Sequence, residues 1–152
     1  MSFQITVSGF ADGGTIPQRH TCEGQDLSPA LDWAGAPAGA KSFVLIVDDP
    51  DAPVGTWNHW LLYDLPATTE SLAEAARPPA PARSGRNDFG RLGYGGPCPP
   101  RGHGPHRYYF RLYAVEVASL GLPEGVSRAD LDRALRPHVL AETQYLGRYE
   151  RR

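Results

Sequence analysis

Three stretches of this sequence concentrate side chains able to do acid–base or ion-binding chemistry. The first is Asp48-Asp49-Pro50-Asp51-Ala52-Pro53, which follows directly on an apolar run. Three carboxylates within four residues repel one another. Bulk solvent relieves that at little cost, whereas a pocket does so only with partners. Pro50 and Pro53 stiffen the segment, and an X-Pro bond here is a candidate for the cis isomer. Without a site, the same residues are an acidic turn that stops a sheet from extending. The second stretch is Thr56-Trp57-Asn58-His59-Trp60. On a strand, Trp57 and His59 point one way and Asn58 and Trp60 the other. A histidine between two tryptophans is also what a packed, hydrogen-bonded imidazole looks like. The third stretch, Gly93 to Tyr108, alternates glycine and proline before His106-Arg107-Tyr108. Runs of this kind expose backbone N–H groups at fixed angles, and such concave arrays bind anions. His106 and Tyr108 then share one strand face and present an imidazole and a phenol together.

These residues need strands to carry them, and the chain supplies strands. Phe3, Ile5 and Val7 alternate with polar residues, Leu31 to Trp33 is a short apolar segment, and Ser42 to Val47 is continuous and β-branched. That last pattern predicts a central strand buried on both faces. Trp57 to Leu65 and Arg107 to Val117 read as two further strands, and Leu140 to Tyr149 as a last one. Leu72 to Ala76 reads as a helical turn stopped by Pro78 and Pro79. Ser127 opens a helix, with Asp130 at capping spacing, Leu131 and Leu135 as its apolar face, and Pro137 as its interruption. Gly and Pro number 17 and 15, concentrated between the apolar runs, which favours strands joined by turns. Nothing alternates β with α, so a doubly wound sheet is excluded in favour of a mainly β sandwich with short peripheral helices.

With 152 residues, 41% of them hydrophobic, residues 1–152 are expected to form a single domain. A net charge of −2 gives no basic surface for nucleic acid, and Arg148, Arg151 and Arg152 read as a solvated tail. No stretch approaches the length of a membrane span, and Met1 to Phe10 lacks the pattern of a signal peptide. A cytoplasmic location follows as the expectation, and with it free thiols at Cys22 and Cys98. Two thiols make a poor zinc site, so neither metal nor other cofactor is expected.

Taken in order, D-P-D-A-P at Asp49 to Pro53, W-N-H at Trp57 to His59, and G-P-C-P-P-R-G-H-G-P-H-R-Y at Gly96 to Tyr108 resemble the phosphatidylethanolamine-binding protein family, which includes Raf kinase inhibitor-like proteins. His20 to Pro29 (H-T-C-E-G-Q-D-L-S-P) and Gly85 to Gly90 (G-R-N-D-F-G) resemble its shorter bacterial branch. The resemblance implies a Greek-key β-sandwich with a pocket for phosphate-like or carboxylate-like groups. Carried over by position, it implies that Asp49, Asp51, His59, His106 and Tyr108 hold the ligand. Cys98 would offer its backbone N–H, and Pro53, Trp57, Pro99 and Pro100 would form the wall. It also implies a homodimer, with Tyr63, Tyr109 or Phe89 as candidate interface aromatics, and a role in regulating a protein kinase or protease. Longer relatives add a C-terminal helix to the pocket. None follows Arg152 here, so a more open pocket is expected.

Two aspartates beside an anion require compensation: like charges at ~4 Å repel by about 4 kcal/mol at an effective dielectric near 20. His59 and His106, next to carboxylates, are expected to gain protons and supply it, with tighter anion binding near pH 6 than near pH 8. The rival class is a hydrolase using the Asp/His/Tyr set for acid–base or metal-assisted chemistry. Against it, no serine sits in a nucleophile elbow, Cys98 is hemmed in by Pro97 and Pro99, and no metal-binding motif is present.

Overall fold

The computed structural model describes residues 2–152. In chain order its elements are β1 (Gln4–Val7), β2 (Gly14–Thr15), β3 (Leu31–Ala34), β4 (Ser42–Asp49), β5 (Trp57–Pro66), β6 (Ser71–Leu72), β7 (Arg83–Ser84), β8 (His106–Val115), α1 (Arg128–Leu135) and β9 (Val139–Tyr149). The strands form two sheets, one ordered β1-β3-β6 and the other β2-β9-β8-β4-β5-β7. β4 pairs with the next strand, β5, and also with β8, far along the chain. This is the skipped connection of a Greek key.

All of β4 is buried, because both of its faces are covered. Phe43, Leu45 and Val47 point between the sheets, where they meet Ile5, Val7, Leu31, Trp33, Leu62, Phe110 and Leu112. Val44 and Ile46 point the other way, into a second core closed by Leu61, Tyr63, Val126, Leu131 and Leu135. The helix α1 therefore exists to cover the outer face of the larger sheet. Ser127 caps it by accepting a hydrogen bond from the Asp130 N–H (3.1 Å), and its helical path gives way to a tighter turn at Arg136–His138, around Pro137.

Several expectations need correction. Leu72 belongs to β6 rather than to a helical turn: its side chain is needed in the core between the sheets, and a strand paired with β3 puts it there. The cis peptide is Ala80–Pro81, not one in the acidic segment. Tyr63 is no interface residue, since it is fully buried and its hydroxyl donates to the Pro123 carbonyl. The arginine tail is not simply solvated: Arg151 donates from Nε to the Pro99 carbonyl (2.6 Å), and its own carbonyl accepts from the Gly102 N–H (2.9 Å). No helix is long and apolar enough to cross a membrane among the described residues.

Candidate functional site

The three crowded aspartates are pulled apart by the pleat of β4 and each finds a different cation or donor. Asp48 follows the even-numbered face towards α1, where it is buried and meets Arg111 (3.1 Å) and Arg128 (2.9 Å). Asp49 follows the odd-numbered face between the sheets, where its Oδ2 accepts from His106 Nδ1 (2.6 Å) and its Oδ1 from the Asp51 N–H (2.7 Å). Asp51 turns outward and is gripped by Arg107, through Nε (2.9 Å), Nη2 (2.8 Å) and the backbone N–H (2.9 Å). The Arg107 guanidinium holds the Asp51 carboxyl down at about 2, well below its ordinary 3.8. Asp51 thus positions the loop and does not line the cavity.

His59 reaches the site through a β-bulge. Val47 pairs with Trp60 while the next residue, Asp48, pairs with Asn58, so His59 is an extra residue with no partner on β4. A bulge of this kind re-aims the strand. It sends Asn58 to the outer face, where its Oδ1 accepts from Arg128 (2.8 Å), and keeps Trp57 and His59 on the inner one with Trp60. Simple alternation pairs Asn58 with Trp60, and the bulge is why that pairing fails. The freed backbone of His59 is used at once: its carbonyl accepts from the Gly95 N–H (2.9 Å), and its Nδ1 donates to the Gly95 carbonyl (2.7 Å). In the neutral ring that bond fixes the tautomer, leaving Nε2 without a proton. Burial pushes the imidazole below its ordinary 6.5, against the opposing pulls of Gly95 and Asp49. Burial thus works against a protonated His59, the opposite direction from the charge argument from sequence.

The loop from Gly93 to Pro105 forms the opposite wall. Gly95 and Gly96 have no room for a side chain: a Cβ on Gly95 would lie 2.5 Å from the Phe89 ring, and one on Gly96 2.2 Å from the His20 carbonyl oxygen. The Gly96 N–H donates to Asp26 Oδ1 (2.9 Å), and the Cys22 N–H to the Pro97 carbonyl (3.1 Å). These bonds hold the Cys22 segment against the loop, with the two cysteine Cα atoms 5.4 Å apart, and Cys22 and Cys98 are joined as a disulfide. The expectation of free thiols, drawn from compartment alone, is thereby corrected. The Cys98 N–H has no hydrogen-bond partner among the described residues.

Together these elements enclose a cavity of about 270 Å³ lined by Asp49, Ala52, Pro53, Val54, Trp57, His59, Phe89, Cys98, Pro99, Pro100 and His106. Tyr108 does not line it. The phenol lies against both imidazoles, edge-on to His59 (5.2 Å between centroids) and stacked with His106 (6.5 Å). Its hydroxyl is buried without a hydrogen-bond partner, and burial together with the Asp49 charge pushes the phenol well above its ordinary value. The cavity is polar at the floor and apolar at the mouth, where Phe89 and Val54 are exposed.

Residues 6–150 match the family model described as phosphatidylethanolamine-binding protein. A UPF0098 protein of Aquifex aeolicus is 51% identical over 152 residues, covering 97% of this chain and 88% of that protein. The chain belongs to the phosphatidylethanolamine-binding protein family. Escherichia coli YbcL, described as a member of the mammalian family of that name, superposes with a TM-score of 0.93 at 35% identity, covering 99% of both chains. A homologue from Chlamydia trachomatis superposes at 0.92 and 40% identity, again over 99% of both chains. A carboxypeptidase Y inhibitor, solved with its cognate proteinase, shares the fold at 20% identity and a TM-score of 0.63.

Within this phosphatidylethanolamine-binding protein fold, motif matching places Asp49, His59, Cys98, His106, Pro53, Trp57, Pro99 and Pro100 around one cavity, with Tyr108 beneath. It misses four contributors. Ala52, Val54 and Phe89 line the cavity, the last two at its rim, and their signal in the sequence is only that of apolar residues in turn-rich segments. The fourth is His103, whose Nδ1 lies 2.6 Å from His106 Nε2. Glycines on both sides mark its loop, but nothing in the sequence says that it folds back onto His106.

Proposed function

We propose that this protein binds a small oxyanion, of phosphate or carboxylate type and attached to an apolar group, in the Asp49–His59–Cys98–His106 cavity. The observation that carries this reading is the make-up of the cavity, in which the side chains of Asp49, His59 and His106 and the free Cys98 N–H meet a wall of Pro53, Trp57, Pro99 and Pro100. The apolar mouth suits a hydrocarbon or aromatic substituent on the acid group, as in many small-molecule pockets.

Burial holds the His59 pKa below its ordinary value, and an anion bound beside it opposes that shift, so anion binding is expected to be coupled to proton uptake at Nε2. Binding rather than turnover is proposed because the groups of a hydrolase do not assemble. Asp49 and His106 form the orienting half of an acid–base couple, but His106 Nε2 meets a second imidazole, not a hydroxyl, and the Cys98 sulfur is held in a disulfide. Regulation of a protein kinase or protease through the rim of Val54 and Phe89 is the extension of the same reading.

A thermal-shift screen of phosphate, methanesulfonate, acetate and phosphoethanolamine, on wild type and His106→Ala, tests it. Ligand at 100 times its dissociation constant adds about 2.7 kcal/mol. Stabilisation of the wild type and not of the variant is the expected result; no stabilisation by any anion would overturn the reading.

A further inference from the structure

Both ring nitrogens of His106 are occupied from within the chain. Nδ1 donates to Asp49 Oδ2 (2.6 Å), and Nε2 faces His103 Nδ1 (2.6 Å). With the His106 proton on Nδ1, Nε2 is an acceptor, and His103 supplies the N–H that it accepts. An oxyanion carries no spare proton of that kind and needs a donor. His106 can serve it only after gaining a proton on Nε2 and losing His103 from that nitrogen. His106 is 2% exposed, whereas His103 stands on the exposed segment Arg101–His103 and packs its ring against His106 at 4.8 Å. The flanking residues Gly102 and Gly104 have φ of +73° and +87°, and nothing lies within 4 Å of where their Cβ atoms would be. Beyond the backbone bonds from the Gly102 N–H to Arg151 (2.9 Å) and from the His103 N–H to Pro100 (3.2 Å), the hold of the His103 side chain on the site is the imidazole contact itself.

We infer that His103 is an internal competitor for the oxyanion at His106, a side chain that covers Nε2 in the empty protein and is exchanged for the ligand on binding. The inference rests on the oxyanion reading of the cavity and deepens it, because it assigns the residue that sets affinity. In the exchange, the His103 Nδ1–H bond to His106 Nε2 breaks. One proton is taken up at Nε2 from solvent or from a protonated ligand, and the new Nε2–H donates to the ligand oxygen. His103 keeps its own proton and turns to water.

The test is calorimetric titration of inorganic phosphate into wild type and His103→Ala at about pH 6.5. His103 is exposed, so its removal leaves both cores intact. Loss of one hydrogen bond that the ligand must break is expected to tighten phosphate binding about tenfold, which corresponds to about 1.4 kcal/mol. Equal or weaker binding by the variant overturns the inference, since His103 is then a bystander or itself a ligand group. If phosphate binds neither protein, the oxyanion reading falls, and the covering of His106 is judged without ligand. Diethyl pyrocarbonate should modify His106 several-fold faster in His103→Ala, located by fragmentation of the Gly102–Arg107 tryptic peptide. Equal rates in the two proteins overturn the covering as well.

Discussion

Asp49 holds His106, while burial pushes the His59 imidazole below its ordinary pKa against the pull of Gly95, so the residue-scale consequence concerns protons. The folded His59 pKa lies below the unfolded value of 6.5, so protonation favours the unfolded chain. The ligand-free protein is expected to lose stability as the pH falls through about 6.5, and a bound oxyanion is expected to restore it. Phosphate affinity should rise between about pH 8 and pH 6. Calorimetry in buffers of different ionisation enthalpy should show net proton uptake; proton release would contradict the assignment. Asp51 behaves oppositely. Its folded value of about 2, against an ordinary 3.8, stabilises the protein above about pH 4, and that contribution is lost as the pH falls through 2. In Arg107→Ala the Asp51 resonance should titrate near its ordinary value, as followed by carboxyl NMR.

Elements, rather than single residues, keep the cavity open. Asp48 ties β4 to β8 and α1 through Arg111 and Arg128. Removing one partner of a buried charge group leaves the others uncompensated, which costs about 3 kcal/mol. Asp48→Asn should therefore lower the urea midpoint while leaving phosphate affinity within about twofold, because Asp48 faces away from the cavity. The Gly93–Pro105 loop responds differently. Gly96→Ala places a Cβ where the His20 carbonyl and Asp26 carboxylate now sit. Overpacking of this kind costs about 1–3 kcal/mol, and here it should also weaken binding, since the displaced backbone carries the Cys98 N–H.

At the scale of the whole molecule, one covalent bond and one helix lie outside the hydrogen-bonded sheets. The Cys22–Cys98 disulfide closes a chain separation of 76 residues, and by loop entropy such a bridge stabilises the fold by about 4 kcal/mol. Reduction, or the Cys22→Ser/Cys98→Ser pair, should lower the unfolding free energy by that order and loosen the wall formed by Pro99 and Pro100. An unchanged denaturation curve under reductant would show that the strands alone hold the loop. Leu131 on α1 is fully buried in the second core. Leu131→Ala should cost about 2–5 kcal/mol without altering ligand affinity, because the sheet stands between it and the cavity.

Much of this arrangement is legible along the chain. The β-branched run Ser42 to Val47 can only be a strand covered on both sides, Ser127 with Asp130 announces a helix start, and the ordered motifs around Asp49, His59 and His106 announce a common site. Those features are local, set by periodicity, capping chemistry and spacing. What the tertiary structure alone decides is who meets whom. The bulge at His59 depends on the register of β5 against β4, which separates Asn58 from Trp60 and sets His59 against Gly95. The division of Asp48, Asp49 and Asp51 among Arg111, Arg128, His106 and Arg107 depends on which face of β4 each inherits. The disulfide, the Arg151 brace and the His103 contact all join segments that sequence order keeps apart. Local pattern specifies that a side chain is available; only the packed fold fixes its partner, its burial and hence its charge.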